Sequence, residues 1–162
     1  MKKEFKNKKE ELSIKRIFDA PIEKVWGAWT VARDFKKWWG PKDFTAPDIE
    51  IDLAVDGKYL FCMKGPDGKE YWSTGIYKKI IPHKKLVMTD SFADEKGNVV
   101  SASHYGMDDF PLELEVTVDF KERKNGKTEM VLRHRGLPRG QMLDLTRQGW
   151  EQSFDKLEKS LK

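Results

Sequence analysis

Cysteine is nearly absent. Cys62 is the single one in 162 residues, so no internal disulfide forms, and a reducing, cytoplasmic compartment is the expected address. Long hydrophobic runs are missing too. The longest, Tyr59 to Met63, is far short of the roughly 18 apolar residues of a membrane-spanning helix, and no apolar segment follows the N-terminal lysines to make a secretory signal. His83, His104 and His134 are far apart, without His-x-x-x-His spacing or a cluster of Cys and carboxylates, which argues against a metal centre. Gly-x-Gly-x-x-Gly, phosphate-loop and Gly-x-Ser-x-Gly patterns are also absent, so nucleotide enzymes and serine hydrolases lose their usual evidence and no cofactor is expected.

A basic body is lacking as well, despite a pI of about 9.0. The segment MKKEFKNKK holds five lysines and one glutamate, and its net +4 equals that of the whole chain. The rest is neutral, with 26 basic and 26 acidic residues. A nucleic-acid groove needs its own excess of Lys and Arg, so no nucleic-acid partner is expected. Residues 1–10 read as a flexible basic tail and 11–162 as one domain.

What the chain has in plenty is tryptophan, concentrated in DAPIEKVWGAWTVARDFKKWWGP, where four of the six fall between Asp19 and Pro41. Val25, Trp26 and Trp29 share a wide apolar stripe of a short helix, with Pro21 in its first turn and Asp19 as the candidate cap. Thr30 and Asp34 break it ahead of a second short helix ending in Trp38-Trp39-Gly40-Pro41. Before this lies ELSIKRIF, an alternating strand with Leu12, Ile14, Arg16 and Phe18 on one side.

Strand patterns then recur in DIEIDL, GKYLFCMK, EYWSTGIYKKII, KLVMTDSF, LELEVTVDF and TEMVLRHRG. The turn Gly65-Pro66-Asp67-Gly68 marks a hairpin between the second and third. From Arg139 to Leu161 the period becomes helical, with Leu143, Trp150, Phe154, Leu157 and Leu161 on one stripe. The predicted fold is α+β: a curved antiparallel sheet of about six or seven strands, two short helices after the first strand, and a long C-terminal helix over its concave side. That arrangement leaves a cavity between sheet and helix.

FDAPIEKVWGAWT, FKKWWGP, LVMTDSFADEKGN, GKTEMVLRHRGLP and GWEQSFDKLEKSL together resemble the helix-grip fold of the START/Bet v 1-like (SRPBCC) superfamily. Within it, the chain is similar from about Leu12 to Leu161 to the C-terminal domain of the activator of the Hsp-90 ATPase. The resemblance implies a cavity, ligand binding in many relatives and catalysis in some. The eleven residues before Leu12 do not supply the additional N-terminal chaperone-binding domain of the two-domain eukaryotic co-chaperone.

Several polar residues fall on faces that should be apolar. Arg16 shares the side of Leu12, Ile14 and Phe18, where a charge needs a partner: an acidic group of a ligand, or a structural ion pair. His134 lies in phase with Met130 and Leu132, and Asp90 with Leu86, Met88 and Phe92. If they meet, they make an acid and base pair, and they are the candidate catalytic residues. Candidate lining of the cavity comprises Arg16, Trp39, Tyr59, Phe61, Met63, Trp72, Met88, Phe92, Met130, Leu132, His134, Trp150 and Phe154, any of which can equally be core. Ala93 to Pro111 is a long connection, suited to a binding loop or to a plain extended turn.

The leading expectation is therefore a protein that binds a small hydrophobic or amphipathic molecule, rather than an enzyme. A cavity enzyme of cyclase, hydrolase or isomerase type, using Arg16, Asp90 and His134, is the second. A protein-interaction module with a chaperone partner, resting on the resemblance alone, is the third.

Overall fold

The computed structural model describes residues 10–107 and 110–162. The basic tail lies outside them, apart from Glu10, which opens the first strand, and so does the Asp108-Asp109 pair of the long connection. Seven strands run in the order β1 (Glu10–Phe18), β2 (Thr45–Ile51), β3 (Lys58–Lys64), β4 (Glu70–Ile81), β5 (Lys85–Ala93), β6 (Leu114–Arg123) and β7 (Lys127–Leu137). Helices α1 (Ile22–Thr30) and α2 (Ala32–Phe35) follow β1, and α3 (Gln141–Ser160) ends the chain.

All pairings are antiparallel, and the sheet order β1-β7-β6-β5-β4-β3-β2 leaves β1 and β2 at opposite edges. The sheet is therefore open. Strands adjacent in sequence but a sheet-width apart in space need a connection that crosses the concave face, and α1 and α2 make it. That crossing explains the crowding of tryptophan: its inward side chains become the floor on which α3 lies. Trp29 packs at 6.1 Å on Trp150 of α3 in a near-stacked pose, and Trp38 at 4.8 Å on Trp29. Among the buried indoles, Trp38 donates its N–H to the Ala28 carbonyl at 2.8 Å and Trp29 to the Met130 sulfur at 3.2 Å.

Two local expectations are corrected. Pro21, not Asp19, is the N-cap of α1, and no side chain bonds there, because its fixed φ of −68° already sets the extended entry. The second helix stops at Phe35, and the chain turns on through Trp38 and Trp39 to Gly40, whose φ of +101° lies in the left-handed region. The β6 alternation holds for Leu114, Val116, Val118 and Phe120, all buried, whereas Leu112 precedes the strand and is exposed. The long connection is organised around a 3-10 turn at Ala102–Tyr105, and the Tyr105 hydroxyl bonds the Ala93 carbonyl.

No helix among the described residues is long and apolar enough to cross a membrane.

Candidate functional site

The grip is packed solid along β1, β6 and β7. Leu12, Phe18, Met130, Leu132 and Phe154 are fully buried against the α1 tryptophans. Towards β3, β4 and β5 the same face holds a cavity of about 240 Å³, open to solvent. Its walls come from four places: the Trp39-Gly40-Pro41 turn, Met63 with Tyr71, Trp72 and Ser73 of the β3–β4 hairpin, Asp90 and Phe92 of β5, and a stripe of α3. That stripe is Leu145, Thr146, Gly149, Trp150 and Ser153, at the spacing of one helix face. A roomier depression of about 730 Å³ near Ile22 and His83 is lined largely by charged groups, of which Arg133 and Asp119 are paired at 2.9 Å.

The turn that makes one wall is pinned from above. Nζ of Lys156 on α3 donates to the carbonyl oxygens of Gly40 at 3.0 Å, Pro41 at 3.2 Å and Phe44 at 2.9 Å. Gly40 fits there because a Cβ would lie 3.0 Å from Cβ of Phe44 and 3.3 Å from that of Met63, in addition to its left-handed φ.

Three polar groups meet at the inner wall. Asp90 Oδ2 and His134 Nε2 are 2.9 Å apart, bridging over β6, and the Trp150 indole N–H donates to His134 Nδ1 at 3.1 Å. Indole nitrogen only donates, so Nδ1 accepts and the imidazole proton sits on Nε2, pointing at the carboxylate. His134 is thus neutral in this arrangement. Asp90 lines the cavity, and its side chain, 26% exposed, has no other partner among the described residues. The site can offer an anionic acceptor oriented by a buried imidazole, at the end of an apolar space.

Of the candidate residues, Trp39, Met63, Trp72, Phe92, Trp150 and Asp90 border the cavity. Tyr59, Phe61, Met88, Met130, Leu132 and Phe154 do not; they belong to the packed core, because the α1 and α2 aromatics fill the space above them, as Phe35 does at 4.3 Å from Phe61. His134 stands behind Asp90 and Trp150, one layer from the space. Arg16 does not reach it either. Its guanidinium bonds Asp155 at 2.8 Å and Glu151 at 3.1 Å on α3, so the structural ion pair is the arrangement found. Burial opposes the Arg16 charge, but the bonds from Asp155 and Glu151 outweigh it and raise the pKa.

Sequence reasoning missed Tyr71, Ser73 and the small residues of α3. The signal for the first two was available: the hairpin turn sets the register that pairs Met63 with Tyr71 and Phe61 with Ser73, so both share the inward face. Trp72 pairs with Cys62 and borders the cavity between Tyr71 and Ser73. Burial pushes the Cys62 thiol up to about 11. No cluster of three metal-ligating side chains occurs among the described residues.

A crystal structure of a protein from Chromobacterium violaceum superposes with a TM-score of 0.77 at 22% identity, covering 93% of this chain and 96% of that one. The crystal structure of the AHSA1 protein from Silicibacter pomeroyi gives 0.76 at 21%, covering 94% and 97%. An NMR structure of a protein from Arthrobacter aurescens gives 0.75 at 25%, covering 93% and 85%. No curated protein matches the chain. The family model described as Activator of Hsp90 ATPase homolog 1-like protein matches residues 19–162, and the chain belongs to that family, within the START/Bet v 1-like superfamily.

Proposed function

We propose that this protein binds a small amphipathic molecule, with an apolar body, in the cavity between the sheet and α3, and that it does so in the cytoplasm. One observation carries the reading: a preformed space of about 240 Å³ whose walls are mostly aromatic and aliphatic, with Asp90, Ser73, Thr146 and Ser153 as the few polar groups. An apolar cavity of about 150 Å³ accommodates benzene, so a ring with a short side chain, or a fused pair of rings, is the matching size. Burying about 200 Å² of such a ligand is worth roughly 5 kcal/mol before association costs, which makes affinity of about a millimolar realistic.

Titration with prodan, an uncharged environment-sensitive dye built on a fused pair of rings, tests this. Fluorescence enhancement in the wild type, together with quenching of Trp39 and Trp150 emission, is expected. Gly149→Leu, which projects a side chain into the space, should abolish both. Native mass spectrometry of protein from its own host should also show a small molecule travelling with the chain. Absence of binding across both assays would end the proposal.

A second reading, a cavity enzyme, is favoured by the Asp90 and His134 contact at the cavity wall. Asp90 would accept a proton from a bound substrate while the neutral imidazole held its carboxylate in place. Under that reading Asp90→Asn loses turnover and retains affinity. A chaperone partner rests on family likeness alone.

A further inference from the structure

We infer that the cavity selects organic amines, that is, small molecules with an apolar body and a protonated nitrogen, over carboxylates of the same size. The inference rests on the ligand-binding reading above and adds its chemical class. The charge at the wall is the first reason. Asp90 is the only charged side chain lining the cavity among the described residues, and Arg16 and Lys156 of the surrounding elements are already engaged, Arg16 with Glu151 and Asp155 and Lys156 with the Gly40 and Phe44 carbonyls. An acidic ligand would meet a like charge and no counter-ion.

The hydrogen-bond chain is the second reason. The Trp150 N–H occupies His134 Nδ1, so His134 bonds Asp90 as a neutral donor through Nε2 and does not cancel its charge. The carboxylate keeps acceptor capacity for a donor coming from the cavity, since a carboxylate offers about four lone-pair sites and one protein bond is made. The walls supply the third. Trp39, Tyr71, Phe92 and Trp150 bring aromatic rings around the same space, and aromatic faces attract a cation.

Calorimetric titration with phenethylamine, 2-phenylethanol and 3-phenylpropanoate compares a cation, a neutral molecule and an anion on one ring with a short chain. The wild type should bind the amine at least tenfold more tightly than the alcohol, and the carboxylate more weakly than either. Asp90→Asn should remove the amine's advantage over the alcohol. Equal affinities, or a preference for the carboxylate, would overturn the inference, and so would an amine preference that survives Asp90→Asn. The wild-type comparison decides even if that variant fails to fold. If prodan binds and the amine has no advantage, the inference alone fails; if neither prodan nor any of the three binds, the ligand-binding reading fails and the inference with it.

Discussion

Trp150 on α3 donates its indole hydrogen to Nδ1 of His134 on β7 across 3.1 Å, and this bond ties the helix to the sheet at the edge of the cavity. It also decides where the imidazole proton goes. Nitrogen-15 NMR should find His134 as the Nε2-protonated tautomer, with Nδ1 bearing no hydrogen. Trp150→Phe keeps most of the ring volume but leaves Nδ1 without a donor in a buried site. A loss of about 1–3 kcal/mol is expected, together with a change in the tautomer signature. A Trp150→Phe protein with the wild-type nitrogen shifts would show that the bond does not set the tautomer.

Arg16 leads to the opposite expectation. Its acidic partners Glu151 and Asp155 are 43% and 65% exposed, so the pair is well hydrated. Arg16→Met should cost about 1 kcal/mol or less, with a midpoint shift in urea that shrinks at high salt. Ligand preference should not change. A shift in the affinity for carboxylate ligands would return Arg16 to the binding site.

How much of this was legible beforehand depends on range. Alternation in ELSIKRIF and TEMVLRHRG puts Arg16 and His134 on the concave face, and both are there, because period and register fix the face locally. What the side chain meets on that face is set by α3, which arrives 135 residues after Arg16 with Glu151 and 16 residues after His134 with Trp150. The extent of the cavity is a similar case. Met130 and Met63 look alike in sequence, yet Trp29 covers the first, while the second borders the open end. The cluster of tryptophans announces a filled core; which part stays open follows from where the crossing segment runs.

Alkaline pH should destabilise the fold. Burial raises the Cys62 thiol to about 11 from an ordinary 9.0, and raises the Tyr59 and Tyr77 hydroxyls as well. These groups stay protonated in the native state after they ionise in the unfolded chain, so their contribution is full below pH 9 and is lost as pH rises towards 11 and beyond. Lys156, which burial shifts down, works in the other direction over part of the interval. Urea midpoints should therefore fall between pH 9 and 11, and less steeply for Cys62→Ala. At pH 8 the thiol should resist alkylation until the protein is unfolded.

Gly75 sets the strand that carries Asp90. A Cβ there would lie 2.0 Å from the Thr89 carbonyl oxygen, which is backbone and also accepts the Tyr59 hydroxyl at 2.6 Å. Neither group can rotate away. Gly75→Ala should cost about 3 kcal/mol or more in urea unfolding, since β4 and β5 must separate to admit the methyl group. If Gly75→Ala unfolds like the wild type, the register between these strands is not the one described.

Gly149 should respond in the other direction, and the contrast tests whether the cavity has a purpose. Glycine inside a helix costs about 1 kcal/mol relative to alanine, and Gly149 sits in the middle of α3 without a backbone need for it. A Cβ at this position would meet Pro41 at 3.8 Å, an ordinary contact, so space does not forbid one. Gly149→Ala should therefore raise stability by up to about 1 kcal/mol, with a higher melting temperature and no loss of secondary structure. Its methyl group would narrow the space between α3 and the Trp39-Gly40-Pro41 wall, where Gly149 is one of the lining residues. Affinity for prodan should fall as stability rises. A variant that is more stable and binds as well as the wild type would mean that ligand does not approach α3 at this turn.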